Sequence, residues 1–369
     1  MNRSPSADTD LRSRQFERIL IVKPSSLGDV VHALPVLHGL RQRYPNARID
    51  WLIAPLFAPL VEGHADIDEL VLFDRSRYGR MLRNPRACRD FVLFLQRLRR
   101  RRYDLVVDLQ GLFRSGFLAR ATGAATRIGF RYAREMAWLF YNHRIPAIDG
   151  DEHAVDRNYR VSRLLGFEDV AVRFNLEIDD AARAGARAML RHVGLDDARS
   201  VVAVVPGARW ATKVWSRGRF ANVIDRLEQE SAARCVLLGS SGETELCGDI
   251  ASQCAVVPAD LSGRTSLREM AAIIASVGAV LCHDSGVMHI AVALERPLVC
   301  LMGPTNPART GPYRRARDVV RVELDCAPCY LRKLSQCRHA HRCMEELSVD
   351  AVMTAMKTAL HATIAPVEV

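Results

Sequence analysis

ILIVKPSSLGDVVHALPVL, residues 19–37, opens on an apolar run, crosses a loop of proline, serine and glycine, and continues with apolar residues at helical spacing. An apolar run of this length between turn residues predicts a buried strand, and the spacing after it predicts a helix from Asp29 to about Arg43, kinked at Pro35. The same rhythm continues on both sides. RIDWLIA (48–54), ELVLFD (69–74), DLVVDLQ (104–110) and TRIGF (126–130) read as strands, with a long helix over about 85–102 and a helical segment around 153–165. A polar stretch near 167–186 follows, and the pattern then restarts. VVAVV (201–205), RCVLLG (234–239), AVLCHD (279–284) and PLVCLMG (297–303) are separated by helices over about 216–231, 243–252 and 266–277 and one from Gly286. Strands alternating with helices give βαβ units and parallel sheets. The chain is therefore expected to be α/β, with two Rossmann-like doubly wound domains: residues 19–180 and 181–345. Residues 1–18 are expected to be a disordered tail, and 346–369 a C-terminal helix and tail.

Composition agrees with an ordinary globular protein: 369 residues, 49% hydrophobic and 25% charged. No apolar run approaches the roughly 18–20 residues of a membrane helix. The charged N-terminus lacks the apolar segment of a signal peptide, so a cytoplasmic location is expected. The net charge of +10 points to an acidic partner. Low aromatic content and the lack of any nucleic-acid module argue against nucleic acid. Ten cysteines in such a chain suggest free thiols or a metal site instead of a disulfide framework. Neither half has G-x-G-x-x-G after its first strand, nor a G-x-x-x-x-G-K-[ST] loop, which argues against nicotinamide enzymes and P-loop NTPases.

In doubly wound sheets ligands meet the loops at the carboxyl ends of the strands, and with two such domains the cleft between the halves is the expected place. In VKPSSLGDVVHALPVL (22–37), Asp29 reads either as an early-turn anion favoured by the helix dipole or as a general base. Lys23 places a cation beside it, Ser25 and Ser26 line the loop, and Gly28 admits close backbone approach. In VVPGARWATKVWSRGRF (204–220), Lys213 precedes a helix start, where the dipole disfavours a cation unless a bound anion lies between them. LLGSSGETEL (237–246) puts Glu243 at another helix start, as a first-turn acid or as an acceptor for ribose hydroxyls. CHDSGVMHIAVAL (282–294) sets Asp284, Ser285 and Gly286 on a strand-to-helix turn whose free amides suit phosphate, with His283 and His289 flanking it.

These motifs, together with YDLVVDLQGLFRSG, the K-x-W of TKVW and the GPTNP that follows PLVCLM, resemble the ADP-heptose:lipopolysaccharide heptosyltransferases of glycosyltransferase family 9, over residues ~19–360. The resemblance implies a GT-B fold, an acceptor-binding first domain and a donor-binding second one. It also implies inversion at the anomeric carbon, with no metal and no cofactor. It assigns Asp29 as the base. Lys213, with Thr212 and the amides around Ser285, Gly286 and Val287, would hold the diphosphate, Glu243 the ribose, and Asp284 and His289 the heptose. Lys23, Ser25, Ser26 and Gly28 would form the acceptor side. The donor would be ADP-heptose and the acceptor Kdo-lipid A or a heptosylated core. The chain departs from the type I pattern at Ala208 and Arg209, where hydroxyl residues are common. LFYNHR (139–144) looks like type I and the tail like type II.

That tail, CAPCYLRKLSQCRHAHRC, spaces Cys326, Cys329, Cys337 and Cys343 so that thiol packing or a metal clip is conceivable, with packing favoured. In FVLFLQRLRRRRYD (91–104), arginines 97 and 99–102 suit a helix C-terminus, the favoured reading, and also a peripheral contact with the anionic inner membrane leaflet. Two other readings keep the architecture: a transferase with a different nucleotide sugar or acceptor, and an enzyme like the UDP-sugar 2-epimerases.

Overall fold

A computed structural model describes residues 9–79, 84–147 and 150–364. The chain divides into two compact units, Met1–Leu176 and Glu177–Val369.

The first unit holds six strands: β1 (Arg18–Val22), β2 (Arg48–Ile53), β3 (Glu69–Leu72), β4 (Leu105–Asp108), β5 (Thr126–Phe130) and β6 (His143–Ile145). All pair in parallel, in the order β3-β2-β1-β4-β5-β6. The second unit repeats the plan with β7 (Val201–Val205), β8 (Arg234–Leu237), β9 (Ala259–Asp260), β10 (Ala279–His283), β11 (Leu298–Leu301) and β12 (Val319–Val320), in the order β12-β11-β10-β7-β8-β9. The strand order in each reverses beside the first strand, between β1 and β4 and between β7 and β10, which is where a doubly wound sheet opens a crevice for ligand. The central strands are covered on both faces. Every residue of β4, β7 and β10 is buried, and this explains why β7 is apolar throughout and β4 and β10 are apolar up to their last residue. Both halves of the α/β expectation are met.

Several local expectations are revised. The helix expected from Asp29 to Arg43 is two helices, Leu27–Val31 and Leu34–Arg43. Pro35 sits in the first turn of the second, where its missing N–H costs nothing, so it starts a helix and does not kink one. The region expected as a disordered tail is partly folded. Thr9–Ser13 is helical, and Leu11 and Phe16 are 1% and 3% exposed. Residues 1–8 lie outside the described residues. The polar stretch near 167–186 runs into a helix, Asp180–His192, capped by the Asp179 carboxylate and burying only Ala186 and Leu190. The C-terminal helix Val349–Ile364 is no separate appendage: Val352, Met353 and Met356 join Trp215, Phe220 and Leu281 in the second unit's core.

The basic helix end is also partly spent inside the fold. Arg101 donates to Asp50 at 2.9 Å and to Glu69 at 2.6 Å, and Tyr103 adds a 2.6 Å bond to Asp50. Arg101 is therefore a structural cation, while Arg97, Arg99 and Arg100 remain exposed in the last turn of Pro85–Arg100. Among the described residues no helix is long and apolar enough to cross a membrane.

Candidate active site

In the first unit the site begins where β1 ends. Lys23 follows the strand and is 2% exposed. A buried ammonium needs partners, and it has two: its Nζ donates to the Leu109 carbonyl at 2.6 Å and lies 3.3 Å from Asp29 Oδ1. Asp29 stands in the first turn of Leu27–Val31, and its Oδ2 accepts from the Ser26 amide at 3.1 Å and the Ser26 hydroxyl at 2.8 Å. Burial by itself would raise the Asp29 carboxyl. The Lys23 charge and the Ser26 bonds outweigh it and hold Asp29 below the ordinary carboxylate range. Burial draws Lys23 downward, with Asp29 opposing. The pair is thus set as ammonium and carboxylate, and the Asp29 side chain keeps 38% of its surface open.

A residue not singled out from the sequence shapes this corner. Asp108 ends β4 and is wholly buried; it accepts from the Gln110 and Gly111 amides at 2.8 and 3.2 Å and from the Tyr141 hydroxyl at 2.7 Å. Gly111 takes φ +67°, a conformation costly for residues with a side chain. The turn so fixed presents the Leu109 carbonyl to Lys23, while Gln110 Oε1 accepts the Ser25 amide at 3.4 Å. The sequence signal was available: a carboxylate inside an apolar strand. Gly28, expected in the loop, lies instead inside the helix Leu27–Val31, buried.

In the second unit the expected residues gather on the loops after β7, β8 and β10, three adjacent strands. Lys213 Nζ donates to Asp284 Oδ2 at 2.6 Å and to the Asp284 carbonyl at 3.1 Å, leaving one of its three hydrogens for a ligand. The ammonium also lies 4.5 Å from the centre of the Trp210 ring. Thr305 Oγ1, on the loop after β11, donates to the same Asp284 oxygen at 2.6 Å. Ser285 caps Gly286–Ala293 without a side-chain bond to it, and its buried hydroxyl has no partner among the described residues. The first amides of that helix, including Gly286 and Val287, lack intrahelical acceptors. His289, one turn in, is 7% exposed.

Glu243 reaches the β7 loop from the β8 side. Its Oε2 accepts from the Ser240 amide at 2.7 Å and hydroxyl at 2.8 Å, and a Cβ placed on Gly207 would fall 1.7 Å from its Oε1. A side chain at 207 would have to displace that carboxylate. His283, at the end of β10, accepts the Trp215 amide through Nε2 at 3.0 Å; complete burial pushes its pKa down to about 4, so it is a neutral clamp on the Lys213 loop.

The cysteine-rich tail packs over these loops. Thr212 is buried, so it serves the loop's architecture: its hydroxyl donates to Leu331 O at 2.5 Å, and its carbonyl is 2.7 Å from His341 Nε2. Arg332 lies 4.9 Å from the Trp210 ring centre. Cys326, Cys329, Cys337 and Cys343 are free thiols, and Cys343 is buried against Gly303. Among the described residues no three or more His, Cys, Asp or Glu side chains are grouped to hold an ion.

The sequence model of glycosyltransferase family 9 (heptosyltransferase) matches residues 92–340. Lipopolysaccharide heptosyltransferase 1 of Pseudomonas aeruginosa is 31% identical over 322 residues, 85% of this chain and 86% of that protein. The chain belongs to glycosyltransferase family 9. As a family 9 glycosyltransferase it has the GT-B fold. Its structure superposes with a TM-score of 0.79 on a family 9 glycosyl transferase from Veillonella parvula, at 23% identity, covering 95% of this chain and 99% of the other. It also superposes with a TM-score of 0.68 on E. coli heptosyltransferase WaaC with ADP-2-deoxy-2-fluoro heptose, at 26% identity, covering 92% and 99%.

Proposed function

We propose that this enzyme transfers heptose from ADP-heptose to the inner core of lipopolysaccharide, with inversion at the anomeric carbon. The observation that carries the proposal is the Lys213–Asp284 pair set beside the open N-terminus of Gly286–Ala293. Cation and amides together suit a diphosphate, which becomes more negative as it leaves. Support also comes from the P. aeruginosa relative, whose name places it on lipopolysaccharide, and from the WaaC structure, whose ligand is an ADP-heptose analogue.

In this reading the Asp29 carboxylate takes the proton of the acceptor hydroxyl. The oxygen attacks the anomeric carbon as the bond from that carbon to the β-phosphate oxygen breaks, and ADP departs toward Lys213 and the Ser285–Val287 amides. Glu243 accepts from the ribose hydroxyls through Oε1, since Ser240 engages its Oε2, and Asp284 orients the heptose with His289 close in sequence. Ser25, Ser26 and Lys23 set the charge and position of the base.

Incubation of the protein with ADP-heptose and either Kdo-lipid A or its mono-heptosylated form, read by mass spectrometry, tests the proposal. One product heavier by a single heptose is expected from one acceptor. No product from either, with ADP still bound, overturns the donor–acceptor assignment.

A further inference from the structure

The first unit also carries an apolar, cationic face that holds none of the residues assigned above to the transfer. The turn after β5 and the one-turn helix Ala137–Phe140 pack on the first turn of the helix Phe113–Ala121. There Phe113 and Phe140 meet edge to face at 5.1 Å, and the Glu135 carboxylate accepts the Phe113 amide at 3.2 Å. Three large apolar side chains nevertheless point to solvent: Phe113, Met136 and Leu139 are 50%, 58% and 54% exposed. Met136 and Leu139 are three residues apart across a 3₁₀ turn, a spacing that aligns side chains on one side.

The segment that carries them is rich in positive charge. Residues 109–147 contain six arginines and a single acid, Glu135, which is committed to the Phe113 amide. Arg114, Arg131 and Arg134 are exposed, and no ion pair ties them to an acid among the described residues. Arg144 stacks at 5.2 Å on Trp138, an amphipathic ring of the kind that settles at a water–lipid boundary. A protein partner of ordinary acidity would complement the arginines alone. Apolar tips ringed by arginines complement a surface that is both anionic and penetrable, which is an anionic lipid bilayer.

We propose that this face docks the enzyme on anionic lipid, with Phe113, Met136 and Leu139 entering the interface and the arginines among the headgroups. The proposal extends the reading of a lipid-linked acceptor, but binding itself requires neither donor nor acceptor.

Co-sedimentation with phosphatidylglycerol/phosphatidylcholine vesicles, against phosphatidylcholine alone, tests it. The protein is expected to bind the anionic vesicles only, less tightly as salt rises. R114A/R131A/R134A is expected to weaken binding about 100-fold, at roughly five-fold per basic side chain near an anionic surface. F113S/M136S/L139S is expected to weaken it as well, whereas R97A/R99A/R100A, on the helix Pro85–Arg100, leaves it largely intact. Equal binding by all variants, or no binding by the parent, overturns the proposal. So does a parent dimer that F113S/M136S/L139S dissociates without any vesicle binding, because a second copy would then be the occupant. Transfer to a deacylated, water-soluble acceptor separates the two claims. Transfer without vesicle binding removes only the docking face, and vesicle binding without transfer removes only the reaction.

Discussion

Gly207 and Glu243, on the loops of neighbouring strands, are in contact so close that any side chain at 207 must displace the glutamate: an added Cβ would stand 1.7 Å from Glu243 Oε1 and 3.1 Å from its Cγ. The glutamate cannot simply swing aside, because Ser240 holds its other oxygen twice. Gly207→Ala is expected to displace the carboxylate and weaken ADP binding by about 10–100-fold, the range for losing hydrogen bonds to a charged acceptor. Calorimetric titration with ADP measures this, and Glu243→Gln should lose a comparable amount. Unchanged affinity in both would remove Glu243 from the donor site.

Asp29 is held ionised by Lys23 against the pull of burial. Asp29→Asn is expected to lower kcat by about 10²–10⁴-fold while ADP binding stays unchanged. Lys23→Met has a different signature. With the ammonium gone, burial dominates, the Asp29 carboxyl titrates at higher pH, and the acidic limb of the rate profile moves upward. A profile of kcat/KM against pH that does not move would show that Lys23 has no hold on the base.

Lys213 and Asp284 form a pair whose side chains are only 13% and 6% exposed. Lys213→Ala leaves a buried carboxylate with Thr305 as its remaining side-chain donor, and is expected to cost about 3–5 kcal/mol of stability along with ADP affinity. The double variant Lys213→Ala/Asp284→Ala should regain much of that stability in urea melts but none of the ADP affinity. Recovery of both would make the lysine a purely structural cation.

His283 is neutral in the fold, with a pKa shifted from 6.5 to about 4. Between those values the unfolded chain binds the extra proton, so stability is complete above about pH 6.5 and falls as the pH drops toward 4, by about 3 kcal/mol. His283→Gln can still accept the Trp215 amide and is expected to flatten this slope. Urea midpoints at neutral and acidic pH provide the comparison; parallel losses in both proteins would contradict it.

Local features were legible because they are set by local forces. The runs at 19–22 and 201–205 read as strands because a strand covered on both faces must be apolar throughout. The helix expected over 266–277 does start there, where the Ser266 and Glu269 side chains satisfy the amides beside them. The strands β6, β9 and β12 were not legible. They are two or three residues long and owe their conformation to a neighbour's hydrogen bonds, not to any periodicity of their own. The helix Asp180–His192 escaped for a different reason: its segment is rich in alanine and arginine, and only Ala186 and Leu190 are buried, so it reads as a polar stretch.

The sequence by itself determined two α/β units and the loops on which Asp29, Lys213, Glu243 and Asp284 stand, since alternation of strand and helix fixes which loops lie at the strands' carboxyl ends. Tertiary structure alone decided the partners. Lys213 finds Asp284 71 residues away, and Thr305 finds it from a third loop. Lys23 finds Leu109 from 86 residues away because β4 lies beside β1. Such pairings depend on the order in which strands assemble, and that order is a property of the packed sheet that no single stretch of chain carries.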